Sequence, residues 1–134
     1  MMRVMAEAGA DFTLTFRYLC DAAGPSEGED RLRSLFAGQP DALDAWLGKW
    51  RARMAPEECT AHERREGMRA ANPMFIARNH RVEEALAAAT SGFYGPFEKL
   101  LEVLERPFDD QPENSAYADP PRPDEIVQAT FCGT

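Results

Sequence analysis

The feature that most constrains the fold is the recurrence of apolar residues every three to four positions along residues 1–106. In "PDALDAWLGKWRARM", for example, Leu43, Trp46, Leu47 and Trp50 fall on one stripe at helical spacing. No stretch of the chain shows the sustained period-2 alternation that is typical of a half-buried strand. The sequence therefore predicts a mainly α protein, organised as a small helical bundle.

Capping residues indicate where these helices begin and end. Gly9 is suited to end "MRVMAEA", and Asp11 is suited to cap the start of "FTLTFRYLCDAA". Pro56 favours the start of a largely polar surface helix, "PEECTAHERREGMRAA". Gly92 ends the Ala-rich helix that contains "RVEEALAAAT", and Pro107 ends "GPFEKLLEVLERP".

Helical spacing also predicts which apolar side chains point inward. In "FTLTFRYLCDAA" the expected inward residues are Phe12, Phe16, Leu19 and Cys20. In the helix that contains "RVEEALAAAT" they are Val82, Leu86 and Ala89, and in "GPFEKLLEVLERP" they are Phe97, Leu100, Leu101 and Leu104.

The character of the chain changes at residue 107. The segment 107–134 holds half of the ten prolines and shows little periodicity. It does carry scattered apolar residues, namely Phe108, Tyr117, Ile126, Val127 and Phe131. We therefore expect two parts: a helical region at 1–106 and an extended Pro-rich C-terminal strap at 107–134, which ends near Cys132.

Composition argues against several classes of protein. A net charge of −8 disfavours nucleic-acid binding, which needs clustered Lys and Arg. No apolar run approaches the roughly 20 residues that cross a bilayer, and "MMRVMAEAGADF" is not typical of a secretory signal. Three widely spaced cysteines do not make a disulfide framework. These features favour a cytoplasmic protein, or a mitochondrial matrix protein in a eukaryote.

Several residues suggest chemistry, and each also has a plainer interpretation. Cys59 and His62 have the C-x-x-H spacing of two zinc ligands, but Cys20, His80 and Cys132 do not repeat that spacing. A surface helix with incidental residues is the favoured interpretation. The aspartates and glutamates that follow the last helix do not form a calcium loop, so solvated charge is favoured for Asp109, Asp110, Glu113 and Asp119.

His80 and the two tryptophans also have both a functional and a structural interpretation. His80 could act as a general base, but no motif places a nucleophile beside it. We expect instead that Asn79 or a neighbour caps the helix and that His80 makes a hydrogen bond between helices. Trp46 and Trp50, one turn apart, either form a peptide-binding face or pack in the core, and core packing is favoured.

Binding of ATP by this chain alone is not supported by any motif. The glycines fall into neither the G-x-x-x-x-G-K-[ST] nor the G-x-G-x-x-G pattern, and Lys49 and Lys99 are the only lysines. The residues by themselves therefore predict a helical module with an extended tail and without a visible active site or a cofactor of its own.

Four stretches, taken in order, resemble a known family. They are "ADFTLTFRYL" at 10–19, "MRAANPMFIARNHRVEEALAAA" at 68–89, "PFEKLLEVLERPFDD" at 96–110, and a Pro-rich tail ending in "FCGT". Together they resemble the C-terminal region of the selenoprotein O (YdiU) family, over essentially the whole chain. Members of that family are longer, so this chain, starting at Met1-Met2, resembles a fragment or truncated product.

The resemblance implies a function for the longer protein. Family members are pseudokinases that act as protein adenylyltransferases: they transfer AMP from ATP to Ser, Thr or Tyr hydroxyls (AMPylation) with Mg²⁺ or Mn²⁺. Their nucleotide- and metal-binding residues precede the region of resemblance, so none can be placed on this chain. The resemblance thus implies a structural and regulatory C-terminal part that is inactive alone and partners the missing kinase-like domain, in cis or in trans.

The resemblance also implies a role for Cys132. In bacterial members the cysteine third from the end is thought to pair reversibly with a cysteine of the activation loop, and Cys132 matches that position. Exposed apolar faces built for the missing domain would also favour self-association. The alternative function is a stand-alone helical module in which Trp46, Trp50 and the tail bind another protein.

Overall fold

The structure is a computed structural model, and it describes residues 1–24 and 26–129. It contains seven α-helices: α1 (Met2–Ala8), α2 (Phe12–Ala22), α3 (Asp30–Ser34), α4 (Pro40–Met54), α5 (Ala61–Ala71), α6 (Asn79–Thr90) and α7 (Gly95–Leu104). Three 3-10 helices lie at Ser26–Glu29, Pro112–Tyr117 and Pro123–Glu125. No strand occurs in the described residues, which confirms the prediction of a mainly α protein.

The helices fall into two compact units, Met1–Asn72 and Pro73–Thr134. This division follows the packing of the chain. It differs from the boundary at residue 106, which follows the change in composition. Proline at position 73 restricts the residue before it to extended backbone, so α5 ends immediately before the second unit begins.

The first unit, α1 to α5, is built around one apolar cluster. Its buried members come from four helices and the turn after α3: Met5, Leu19, Ala22, Leu32, Phe36, Leu43 and Leu47. The predicted stripe of α4 therefore does face the core through Leu43 and Leu47. At about 25 cal/mol per Å² of apolar surface removed from water, this cluster is a major source of stability for the unit.

The second unit is a helical hairpin followed by the Pro-rich segment. A short turn at residues 91–94 joins α6 to α7, and Gly92 adopts a left-handed φ of 82° there, as its position predicted. After α7 the chain returns over the hairpin. The backbone amides of Met74 and Phe75 both donate to the carbonyl of Pro107, at 2.8 and 3.2 Å.

Several expected positions needed correction. The polar helix α5 begins at Ala61 rather than at Pro56, because a capping box between Thr60 and Glu63 fixes its first turn. Phe12 and Leu86, expected inside, are largely exposed. For these two residues the helix exists as predicted, but the neighbouring elements cover another part of its circumference.

The described residues contain no helix that is both long and apolar enough to cross a bilayer.

Candidate functional site

The N-terminal end of α6 borders a cavity of the second unit that combines charged, polar and apolar side chains. We name it the α6 cavity; it has a volume of about 290 Å³. Its lining combines the segment that enters α6 with the last described part of the tail: Ile76, Ala77, Arg78, Asn79, His80, Pro121, Glu125, Ile126 and Val127. Because α6 begins here, amide groups of its first turn, which have no partner within the helix, lie at one wall.

His80 is the most distinctive side chain of this cavity. It is 8% exposed, and no described residue forms a hydrogen bond with its Nε2 atom. Burial lowers the pKa of His80, the positive charges of Arg81 and Arg78 lower it further, and Glu125 and Glu84 oppose them. The imidazole is therefore held in its neutral form near neutral pH.

The expected roles of this segment are only partly met. The cavity lining contains neither serine nor cysteine, so a general-base role for His80 has no nucleophile beside it in the described structure. The predicted hydrogen bond between helices is absent at Nε2, and the start of α6 has no side-chain cap. The imidazole is 8% exposed and lines the cavity together with Glu125, Ile126 and Val127 of the tail.

Arg81 ties the start of α6 to the Pro-rich segment. Its guanidinium donates to the carbonyl of Ala116 at 3.0 Å and pairs with Glu84 at 2.9 Å. It also lies 5.7 Å from the centre of the Tyr117 ring, in the geometry of a cation–π contact. The tail is thus held against α6 by polar contacts as well as by burial.

A polar network secures the other side of the Pro-rich segment. The buried Gln111 donates from Nε2 to the carbonyls of Val103 and Arg106, at 3.0 and 2.9 Å. Its Oε1 accepts from Asn114 Nδ2 at 2.9 Å. Val103 belongs to the last turn of α7, where carbonyls lack helical partners, so Gln111 acts as a cap for that helix.

Another cavity, with a volume of about 380 Å³, lies in the first unit and is bordered by Cys59, Arg51 and Arg64. Cys59 lies before the N-cap Thr60, while His62 lies in the first turn of α5, so the pair does not occupy adjacent turns of one helix. Among the described residues, no group of three or more His, Cys, Asp and Glu is arranged to hold a metal ion.

The remaining candidate residues have ordinary surroundings. Asp109, Asp110, Glu113 and Asp119 are exposed, and Asp109 lies 3.9 Å from Arg106. Trp46 and Trp50 stack with ring centres 5.8 Å apart and pack, partly buried, against the apolar cluster of the first unit. The position of Cys132 lies outside the described residues.

One charged residue that the sequence reasoning missed is buried in the first unit. Arg17 is almost fully buried, and its Nη1 donates to the carbonyls of Asn72 and Arg69, at 3.0 and 3.3 Å. Arg17 lies three residues after Leu14 and three before Cys20, both buried. That spacing is the signal from which its burial could have been predicted.

A carboxylate on α2 adds a second link to α5. Asp21 Oδ1 accepts from Arg65 Nε at 3.1 Å and from Arg69 Nη1 at 3.0 Å. With Arg17, this places charged groups of α2 against the C-terminal half of α5. These contacts position helices and do not assemble reacting groups.

Comparison with known proteins gives these features a context. The chain is 53% identical over 130 residues to "Protein nucleotidyltransferase YdiU" of Nitrobacter winogradskyi, 57% over 132 residues to that of Bradyrhizobium sp. (strain BTAi1), and 50% over 135 residues to that of Rhizobium johnstonii. These matches cover 97%, 97% and 100% of the chain. The chain corresponds to the C-terminal region of the YdiU family.

The chain spans about a quarter of the length of these YdiU relatives, 26% of two of them and 27% of the third. No protein-family model matches the chain. The resemblance stated from the sequence is nevertheless confirmed, and its stretch "RNHRVEEALAAA" forms α6 and part of the α6 cavity. The stretches that carry the resemblance therefore form most of α2, at 10–19, and much of the second unit, at 73–89 and 96–110.

Proposed function

We propose that this chain is the C-terminal structural and regulatory part of a protein adenylyltransferase, which transfers AMP from ATP to Ser, Thr or Tyr hydroxyls. The observation that carries the proposal is the match along 97–100% of the chain to about a quarter of proteins described as nucleotidyltransferases. The chain supplies a folded helical region, and the rest of the enzyme supplies the chemistry.

The donor groups of this chain support a non-catalytic role. A nucleotide site needs phosphate-binding amides or cations, and the chain has two lysines and lacks a phosphate-loop motif. In the described part of the chain, no group of three or more His, Cys, Asp and Glu is arranged to hold a metal ion. In this proposal, ATP and the metal are bound by the segment that precedes this region in family members.

The regulatory part of the proposal concerns Cys132. In the full enzyme, this thiol forms a disulfide with a cysteine of the kinase-like segment by exchange with a small disulfide such as oxidised glutathione. Two protein thiols become one disulfide, and the small disulfide becomes two thiols, so electrons and protons balance. A thiol close to the chain terminus suits such exchange, because the two cysteine Cα atoms must come within about 7 Å.

The proposal is tested by exchanging parts. The chain replaces the matching region of the full-length Nitrobacter winogradskyi relative, and AMP transfer to protein is measured with labelled ATP. Three proteins are compared: the chimera, the relative truncated before this region, and the chain alone. We expect transfer by the chimera, weaker transfer by the truncated relative, and none by the chain.

Two results would contradict the proposal. AMP transfer by the chain alone would make it an enzyme, and equal transfer by the chimera and the truncated relative would remove its structural role. For the regulatory part, the chimera with Cys132→Ser should lose its response to oxidised glutathione, whereas Cys59→Ser should keep it. A response that survives Cys132→Ser would locate the redox control elsewhere.

A further inference from the structure

Helix α7 carries more apolar surface than its own unit covers. Leu100 and Val103 are buried, but Phe97 is 46% exposed and Leu101 is 52% exposed. Tyr94, at the start of the helix, is 58% exposed. The predicted stripe of α7 is therefore divided, with one half buried within the chain and the other half in solvent.

The exposed residues share one face of α7. Phe97 and Leu101 are four residues apart, and Tyr94 precedes Phe97 by three, so a period of 3.6 residues aligns all three. We call Tyr94, Phe97 and Leu101 the outer face of α7. An uncovered aromatic and aliphatic row of this kind, in contrast to scattered single residues, is typical of an interaction surface.

The structure extends and orders this face at the start of the helix. Phe93 is also exposed, and its ring lies over Gly95, with a ring atom 3.1 Å from the point that a Cβ of residue 95 would occupy. A side chain at position 95 would displace the ring. Gly95 thus leaves room for the exposed Phe93 ring at the start of α7.

Acidic residues border the outer face. Glu98 follows Tyr94 by four positions and Glu105 follows Leu101 by four, so both lie alongside the apolar row. Both are exposed, and neither forms an ion pair with a described residue. A surface complementary to this one would be apolar at its centre and would carry Lys or Arg at its edge.

We propose that the outer face of α7 docks against the segment that precedes this region in YdiU-family proteins, at a surface with an apolar centre and basic edge. This inference rests on the proposed function. The chain spans 26% of the Nitrobacter winogradskyi relative, so about three quarters of such an enzyme remains to pack against it. Interfaces between domains of one chain bury about 600–1,500 Å², and the outer face of α7 offers exposed apolar side chains to the centre of such an interface.

A second copy of the chain fits the outer face less well. Two copies that met through the same face in a twofold arrangement would bring Glu98 and Glu105 of one copy close to those of the other. The net charge of −8 adds repulsion between copies. A basic edge on the preceding segment removes that repulsion and makes it the better occupant.

The test mixes the purified chain with the purified preceding segment of the Nitrobacter winogradskyi relative and measures Kd by titration calorimetry. The main variant is Phe97→Ser with Leu101→Ser, and a second is Glu98→Lys with Glu105→Lys. Met2→Ser is the control, because Met2 is 60% exposed, more than Phe97 or Leu101, but lies on α1. We expect each double variant to weaken binding by about tenfold or more and Met2→Ser to leave it unchanged.

Circular dichroism of each variant shows whether it is folded. The Glu98→Lys, Glu105→Lys variant changes only exposed carboxylates, so it can still test the docking surface if the Phe97→Ser, Leu101→Ser variant unfolds. Equal binding by the wild-type chain and a folded double variant would overturn the docking surface and leave the proposed function standing. If the wild-type chain forms a dimer and the serine variant is a monomer, the outer face binds a second copy of the chain. That result would also overturn the proposed docking against the preceding segment.

Failure of the proposed function gives a different pattern. If the wild-type chain does not bind the preceding segment and the chimera is no more active than the truncated relative, the structural role itself is wrong. If the chimera is active but the serine variant of the chimera has the same thermal stability as the wild-type chimera, only the assignment of the outer face is wrong.

Discussion

Arg17 Nη1 donates to the carbonyl oxygen of Asn72 at 3.0 Å, and this contact joins the middle of α2 to the residue that ends α5. The last carbonyls of a helix lack helical partners, and here a nearly fully buried guanidinium supplies the donor. The contact spans 55 positions in sequence, so it forms only when the first unit has folded. A charged residue thereby takes part in the core of that unit.

Replacing this guanidinium should strongly destabilise the chain. Arg17→Leu keeps much of the volume but removes the donor to two carbonyls, so we expect the free energy of unfolding to fall by about 3 kcal/mol. Urea unfolding followed by circular dichroism measures the change. Arg3→Leu is the control, because the Arg3 side chain is 89% exposed, and it should change the value by less than about 0.5 kcal/mol. A similar small effect for both variants would show that Arg17 is not a structural cap.

The Gln111 network should be important for docking the Pro-rich segment. Gln111→Leu removes three hydrogen bonds and leaves the Val103 carbonyl buried without its donor. We expect a loss of about 2 kcal/mol in the free energy of unfolding and faster proteolysis after residue 107. Gln128→Leu, an exposed glutamine of the same segment, serves as the control and should have little effect. Unchanged proteolysis in Gln111→Leu would argue that apolar contacts alone hold the segment.

The capping box of α5 predicts a measurable pKa. Hydrogen bonds from the backbone and hydroxyl of Thr60 lower the pKa of Glu63 below its ordinary value of 4.5. Because the folded pKa is lowered, the stabilisation is present above 4.5 and is lost as the pH falls through the folded pKa. Carbon NMR titration of the Glu63 carboxyl should show the low pKa, and Thr60→Ala should raise it.

Thr60→Ala should also reduce stability at neutral pH by about 1 kcal/mol, since the N-cap hydroxyl that accepts from the Glu63 amide is lost. Thr90→Ala is a suitable comparison, because Thr90 lies at the other end of a helix and its hydroxyl donates to Ala87. A Glu63 pKa that does not respond to Thr60→Ala would mean that the capping box does not persist in solution.

His80 should make the chain less stable in mild acid. Burial and the positive charges of Arg81 and Arg78 lower its pKa below the ordinary value of 6.5, against the opposing effects of Glu125 and Glu84. The unfolded chain then binds a proton before the folded chain does, so stability is full above 6.5 and falls as the pH drops below that value. We expect Tm to decrease over this range in the wild-type chain and to change less in His80→Gln.

Nitrogen NMR of the imidazole checks the cause directly. The chain has two histidines, so His62→Gln leaves the His80 ring as the single imidazole signal. Its titration midpoint should lie below 6.5. A midpoint at or above that value would show that the α6 cavity is open to water around His80.

The sequence by itself determined where most helices lie. The stripe of α4 predicted a helix that the structure places at Pro40–Met54, and Asp11 accepts from the Leu14 amide at 2.8 Å as its capping position predicted. Gly9 adopts a left-handed φ of 63° at the end of α1. These features depend on contacts within a few residues, so local sequence is sufficient to predict them.

Only the tertiary structure decided which faces are covered and which residues meet. Arg17 is buried while Phe12 is exposed, and Phe97 lies outside the half of α7 that packs. His80 was singled out from its sequence, but its cavity is completed by Glu125, which comes from the distant tail. Burial depends on which elements pack together, and that choice is a property of the whole folded chain rather than of the periodicity of one helix.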